Sequence, residues 1–377
     1  MRKSDSPGLL SSLLLCFFLC WTQVSAFAQH DSSYEKGSSD KKDSSNKNEV
    51  PPPAPHLMPV ETAVSAETAT GFGGPYACDD DGDIYLRVGP PGAPIRKLNP
   101  KGERVALFQV DANPELEVGV AGYFSVTPEG ELYQLIFARK EISRYVFIFK
   151  PDGAYKAKIK LQPPFAWMPS SLAVFPNGTM LITGQRYDRD THEMNLPFTG
   201  IFSADGLLLK ELNLEDDSAI RSKAGSGPGK TNTPVPVSPV GSQAINWGQI
   251  QSAKDGNLYV MRALSPAVFY AISQGGEVVR RFTVDPGQPS YRPNLMHISG
   301  NRIAVLFFDP QTMDKAMKVV DLEGEEIAGY EQLRADEKAT PGPLGLVFAC
   351  YTQKPERFTF LVTDEKHRIQ LKQVEAR

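Results

Sequence analysis

The residues of this chain that could do chemistry are few and scattered. Five histidines are present: His30 and His56 near the N-terminus, His192, His297 and His367. Metal-assisted hydrolysis needs several carboxylate, Asn or His ligands converging on one divalent ion. Here only His297, with Asn246, Gln249 and Asn294, falls where several strands could meet. A lone histidine of that kind is more often structural than ligating. Three further motifs invite a chemical reading. Ala224-x4-Gly229-Lys230-Thr231 satisfies a loose phosphate-loop pattern, but Pro234, Pro236 and Pro239 bar the helix that must follow it. Asp79-x-Asp81-Gly82 resembles part of a calcium loop, yet Ala77 and Val88 stand where the first and last ligands belong. Asp188, Asp190, His192 and Glu193 form a cluster that reads as a solvated charged loop or a metal site. No catalytic set and no cofactor are expected.

Cys78 and Cys350 occupy matching contexts, Tyr76-Ala77-Cys78 and Phe348-Ala349-Cys350. A disulfide between them requires Cα atoms within about 7 Å, a distance that strands of adjacent sheets do not always reach.

What must position these residues is a repeat. Asp79-Asp80-Asp81-Gly82-Asp83-Ile84-Tyr85-Leu86 is a tight turn followed by an alternating strand. Equivalent turns occur at Pro128 to Tyr133, Pro176 to Leu181, Lys254 to Tyr259 and Ser299 to Ile303, with glycines 48, 48, 78 and 44 residues apart. A second turn follows in each unit, at Gly102, Gly153, Gly206, Gly276 and Gly324. Each unit is therefore four short strands, a to d, and a period in the forties predicts an all-β propeller. A sixth unit at Leu346 to Lys372 lacks its d strand, which the segment from Pro59 to Val64 can supply. The expectation is six blades of four strands, ring closed by that N-terminal strand, with seven blades as the alternative.

The repeat resembles the NHL family of propellers. Asp79-x-x-Gly82-x-Ile84-Tyr85 matches the first half of that repeat, and Val362 to Gln370, where Asp364 precedes Arg368-Ile369, matches the second half. The resemblance implies a fold shared by scaffolds, peptide and carbohydrate binders, and metal-dependent lactonases or lyases.

In such a fold the a–b and c–d turns share one face, and the b–c and d–a loops share the other. The two long insertions, 185–197 and 215–247, both belong to the second face and mark it as functional. Phe72, Tyr123, Phe165, Trp167, Trp247 and Tyr291 precede or open inner strands there. They either ring the channel mouth as a binding surface or plug the wedges between blades. Arg87, Arg139, Arg186 and Arg262 end b strands near the same face, as an anion site or a solvated rim. The candidate ligand-binding set is Phe72, Tyr123, Trp167, Arg186, Trp247, Arg262, Tyr291 and His297. The expected function is a binding or scaffold module for a protein, peptide or carbohydrate, with a metal-dependent hydrolase or lyase as the alternative.

The termini and the charge complete the picture. Arg2 and Lys3, an apolar run from Leu9 to Trp21 and Ala26-Phe27-Ala28 form a signal peptide cleaved near Ala28, so an exported, periplasmic or extracellular protein is expected. Left uncleaved, Leu9 to Ala28 is just long enough for a membrane anchor. Residues 29–58 are a Ser/Lys/Pro-rich tether, and 59–377 form the propeller. The net charge of -4 stays mildly acidic once residues 1–28 are removed, which argues against nucleic acid.

Overall fold

The computed structural model describes residues 57–69, 72–89, 92–110, 118–138, 143–187, 196–212, 214, 249–262, 265–331 and 347–376. The chain divides into two units, Met1–Pro52 and Pro53–Arg377, and every described residue belongs to the second. Trp247, Asn246, Arg139, the 188–193 cluster and the 224–231 motif lie outside the described residues.

The described chain is all-β, in six antiparallel sheets of four strands. Blade 1 is β2 (Phe72–Cys78), β3 (Ile84–Val88), β4 (Ile95–Leu98) and β5 (Arg104–Phe108). Blade 2 is β6 (Val118–Val126), β7 (Leu132–Ala138), β8 (Arg144–Phe149) and β9 (Tyr155–Leu161). Blade 3 is β10 (Ala166–Val174), β11 (Met180–Tyr187), β12 (Leu196–Phe202) and β13 (Leu208–Glu211). Blade 4 is β14 (Ile250–Ser252), β15 (Leu258–Arg262), β16 (Ala267–Ile272) and β17 (Val278–Val284). Blade 5 is β18 (Arg292–Ser299), β19 (Arg302–Phe308), β20 (Lys315–Asp321) and β21 (Glu326–Glu331). Blade 6 is β22 (Val347–Gln353), β23 (Glu356–Thr363), β24 (Arg368–Ala376) and, from the other end of the chain, β1 (Leu57–Thr68). The donated strand pairs antiparallel to β24 from Leu57 opposite Ala376 to Thr68 opposite Arg368. It begins two residues before the expected boundary and runs past Val64.

The inner strands β2, β6, β10, β14, β18 and β22 touch in ring order, and β22 returns to β2. Six apolar clusters form the core. The one between blades 1 and 2 unites Tyr85, Ile95 and Phe108 with Phe124, Leu132 and Phe149, and the one between blades 6 and 1 unites Ile84, Leu86 and Leu98 with Ala349, Leu361 and Leu371.

The turns explain why the sequence repeats. In many turns the first residue is Asp, Asn or Ser and its side-chain oxygen accepts from the backbone N–H groups that follow, while in the turns at Gly153, Gly178 and Gly256 the acceptor is Asp152, Asn177 or Asp255, just before the glycine. Asn99 Oδ1 accepts from Lys101 and Glu103, and Asp364 Oδ1 from Lys366 and Arg368, all at 2.8 to 3.0 Å. Short polar side chains satisfy the backbone in this way where a ladder cannot. The fourth position takes φ near +80°, at Gly82 and Gly206 for example, which glycine adopts without a steric cost. Where the last blade has no glycine, His367 adopts φ 60° instead.

The c–d turns also bind the blades to one another. A β-carbon on Gly153 would overlap the Leu107 carbonyl oxygen of blade 1, and one on Gly206 would overlap the Lys160 carbonyl oxygen of blade 2. Gly276 sits against Ile201 and Lys210 of blade 3, Gly324 against Phe282 of blade 4, and Gly102 against Ser65 of β1 in blade 6. Each c–d turn thus docks on the outer strand of the preceding blade.

Candidate functional site

The channel is the place where residues from all six blades converge. At the end bearing the a–b turns it contains a cavity of about 60 Å³, bounded by Tyr76 and Cys78 of blade 1, Tyr123 and Ser125 of blade 2, and Gln251 and Ser252 of blade 4. That volume holds roughly five water molecules, far below the few hundred Å³ of a sugar- or peptide-sized pocket.

An ion pair lies across this mouth. Lys254 Nζ, from blade 4, stands 2.7 Å from Asp80 Oδ2 of blade 1, its opposite number in a ring of six. Ser299 of blade 5 donates to Asp80 Oδ1 at 3.0 Å and accepts from the Gln353 backbone N–H of blade 6 at 3.2 Å. Burial pushes the Asp80 carboxyl up, but the hydrogen bonds from Lys254 and Ser299 outweigh it and hold the carboxyl below its usual range. Gln251 is fully committed, donating to the Met296 carbonyl and accepting from Ile298 N–H, both at 2.9 Å. Enclosure pushes the Tyr123 phenol far above its ordinary range, and Tyr76 up to about 12, so both stay protonated donors at neutral pH. The Tyr76 hydroxyl donates to the Phe72 carbonyl at 3.0 Å.

His297 is 1% exposed. Its ring stands edge-on to Phe348, with centroids 4.7 Å apart, and Nε2 lies 3.4 Å from the Phe348 carbonyl oxygen. Burial pulls its pKa down to about 4, so at neutral pH it is an uncharged imidazole.

The other expected site residues are placed as follows. Trp167 stacks on Phe202 (centroids 5.2 Å, planes at 17°) and meets Phe198 edge-on, in the wedge between blades 2 and 3. Phe165 packs edge-on against the same Phe198. Tyr123 joins that wedge while also bounding the cavity. Phe72 packs between blades 6 and 1, and Tyr291 between blades 4 and 5. Arg262 is fully buried with its guanidinium 5.8 Å from the Tyr270 ring centre. Arg87 is buried and donates to the Gly122 carbonyl at 2.7 Å, and burial pulls its pKa down to about 10. Arg186 reaches solvent, pairs with Glu211 at 3.3 Å and lies 5.8 Å from the Phe165 ring centre. Cys78 and Cys350 form a disulfide with Cα atoms 5.3 Å apart.

The inner strands that carry or follow Phe72, Tyr123, Phe165, Trp167 and Tyr291 are bulged. Registers shift at Gly73/Ala77, Ala121/Phe124, Pro169/Ser171, Pro293/Leu295 and Phe348/Cys350. Each inserted residue turns the side chains beyond it to the other face of the strand. Sequence reasoning missed the Asp80–Lys254 pair because the two belong to turns 174 residues apart on opposite blades. Their common position after an inner strand is the only signal that could have joined them.

A metal-dependent hydrolase would require a ligand set in this channel. The described inner strands, from Phe72–Cys78 to Val347–Gln353, contain no Asp or Glu. The nearest carboxylates, Asp79 and Asp80, are taken up by Lys97 and Lys254. Among the described residues no cluster of His, Cys, Asp and Glu could hold a metal ion. The donors among the described residues of the channel do not fit a divalent cation.

No family model and no curated protein matches the chain. Among solved structures it is similar to a candidate gluconolactonase (12% identity, 85% of this chain and 94% of the other, TM-score 0.46). It is also similar to a Bacteroides caccae protein of unknown function (10%, 74% and 94%, TM-score 0.44). A Trichoderma reesei carbohydrate-active enzyme of family AA12 is a third such structure (12%, 88% and 100%, TM-score 0.40). All three lie below a TM-score of 0.5, and neither fold nor function is inferred from them.

Proposed function

We propose that this chain is an exported, NHL-like propeller that acts as a binding or scaffold module through the face bearing its long connections. The observation that carries this reading is connection length. Segments 188–195, 212–249 and 332–346 are b–c or d–a connections, and all belong to the face opposite the a–b turns. The a–b connections, by contrast, are short, as between Cys78 and Ile84 or between Gln353 and Glu356. Long connections on a rigid ring are the usual seat of recognition. The channel cavity is too small for a sugar or peptide, which favours a partner held on the face. Arg186 at the end of β11 offers a partly exposed cation at its rim.

The test replaces residues 215–247 by a short Gly/Ser linker and compares the variant with the intact chain on glycan and peptide arrays. Loss of retained ligands at an unchanged melting temperature is the expected result. Retention by both, or amide shifts confined to the a–b turn face, overturns the proposal. A stoichiometric divalent ion lost together with a hydrolase activity on chelation would restore the catalytic alternative. Export is supported by a disulfide, which persists in oxidising compartments. It is tested by N-terminal sequencing of protein recovered outside the cytoplasm, expected to start near Gln29. Retention of residues 1–28 would contradict it.

A further inference from the structure

The two sulfurs of the Cys78–Cys350 bridge are unequal in access. Cys350 is 1% exposed inside the last blade, whereas Cys78 is part-exposed and bounds the channel cavity. A solute entering from the a–b turn face therefore meets Cys78 first.

His297 makes the two oxidation states unequal as well. The Phe348 carbonyl oxygen beside Nε2 can only accept, so in the neutral ring the proton sits on Nε2 and the lone pair on Nδ1. That Nδ1 faces Cys78 Sγ at 3.9 Å. A disulfide sulfur carries no hydrogen, so while the bridge is closed this buried acceptor receives nothing from Cys78. Once the bridge is opened, the Cys78 S–H has two acceptors in reach, Nδ1 at 3.9 Å and the Tyr351 carbonyl oxygen at 3.8 Å. A buried acceptor left without a donor is costly, and satisfying it favours the state that does so. The imidazole stays uncharged above about pH 5, because burial holds its pKa near 4, so the lone pair is available throughout the physiological range.

We infer that Cys78 is a thiol-modification site: a small thiol entering the channel exchanges with the Cys78–Cys350 bridge at Cys78, and the hydrogen bond from the freed Cys78 thiol to His297 Nδ1 supports the reduced state. In the first step the thiolate of the small thiol attacks Cys78 Sγ. A new S–S bond forms there, the bond to Cys350 breaks, and Cys350 leaves as a thiolate that takes a proton from solvent. In the second step another molecule of the same thiol attacks the small-molecule sulfur of the mixed disulfide and releases Cys78, which is protonated. Two thiols are oxidised to one small disulfide, and the protein bridge gains two electrons and two protons. The size of the cavity restricts the reagent to short monothiols.

The experiment treats the folded full-length chain with 2-mercaptoethanol or with glutathione, quenches with acid and maps the adducts by peptide mass. The expected result is a 2-mercaptoethanol adduct on Cys78 and none on Cys350, with glutathione at least about tenfold slower because its bulk excludes it from so small a cavity. An adduct on Cys350, equal rates for the two thiols, or reaction only in denaturant overturns the assignment. The part played by His297 is read from a redox titration against 2-mercaptoethanol and its disulfide. His297→Leu is expected to shift the equilibrium about fivefold toward the disulfide, the size of one modest hydrogen bond. An unchanged equilibrium rejects that part. If the variant does not fold, ¹⁵N-labelled wild type serves instead. The Nδ1 resonance is expected to move upfield on reduction while Nε2 stays protonated, and an unmoved Nδ1 rejects the hydrogen bond.

Discussion

Five of the seams between blades are fastened at the rim by one device, and the seam between blades 5 and 6 lacks it. At the five, a c–d turn docks on the neighbouring outer strand: Arg280 Nη1 donates to the Leu322 carbonyl at 2.6 Å, Lys210 Nζ to the Gly276 carbonyl at 3.0 Å, and Gln373 Nε2 to the Pro100 carbonyl at 2.7 Å. Blade 6 has no c–d turn, because its third and fourth strands, β24 and β1, lie at opposite ends of the described residues. Its junction with blade 5 is made nearer the axis. Gln353 Nε2 donates to Asn301 Oδ1 at 2.8 Å, Arg302 pairs with Glu356 at 3.3 Å, and His297 packs on Phe348. On its other side blade 6 is fastened to blade 1 by the disulfide and by the turn of Gly102 against β1. Blades 1 to 5 are held to one another by the repeated rim contact, whereas the blade assembled from both ends adds a disulfide to that contact on one side and replaces it on the other with contacts nearer the axis.

Blade 6 is disrupted most severely by deleting residues 57–68. That leaves the 9-residue strand β24 as an open edge and removes Ala63 from the core. Loss of the cooperative unfolding transition, with aggregation visible in sedimentation, is expected. Converting both Cys78 and Cys350 to Ser should cost about 5 kcal/mol in urea unfolding, because the bridge closes a loop of 272 residues. A cost below about 1 kcal/mol would mean that the seam holds without it.

The same corner should be sensitive to acid. His297 is uncharged in the fold, with a pKa of about 4 against an ordinary 6.5. As pH falls the unfolded chain takes the proton first, so the contribution is intact above pH 6.5 and is lost progressively down to pH 4. By linkage this amounts to roughly 3 kcal/mol, and His297→Gln should flatten that part of the stability profile.

The regular seams are tested by glycine. Gly206→Ala combines a positive φ with overlap on the Lys160 carbonyl and should cost about 2 to 3 kcal/mol. Gly256→Ala, in an a–b turn with open space around it, keeps only the backbone strain and should cost about 1 kcal/mol. Equal costs in thermal unfolding would show that the rim contact contributes nothing.

The fold could be read from the sequence because its turns are written in residue types that allow few conformations. An Asp, Asn or Ser either three residues before a Gly or directly before it supplies the side-chain acceptor while the Gly supplies the positive φ, and the strands between turns follow by alternation. The donated strand was legible from the missing fourth strand of the last unit, and so were the matched positions of Cys78 and Cys350. The directions of inner-strand side chains were not legible. A bulge adds one residue without a consistent sequence mark, so counting by twos back from Val174 crosses the shift at Pro169/Ser171 and does not show that Trp167 turns to Phe202 in the wedge between blades 2 and 3. Contacts across the channel, such as Lys254 with Asp80, depend on ring closure and have no local signature.

Because Leu57 lies opposite Ala376, the two ends of the described domain are separated by one strand spacing. A linker of about three residues would therefore join them as an ordinary hairpin. Opening the chain anew within 212–249 would yield a circular permutant in which blade 6 has the turn it now lacks and blade 4 starts the chain. The order in which the blades are synthesised would change, while the set of packed neighbours would not.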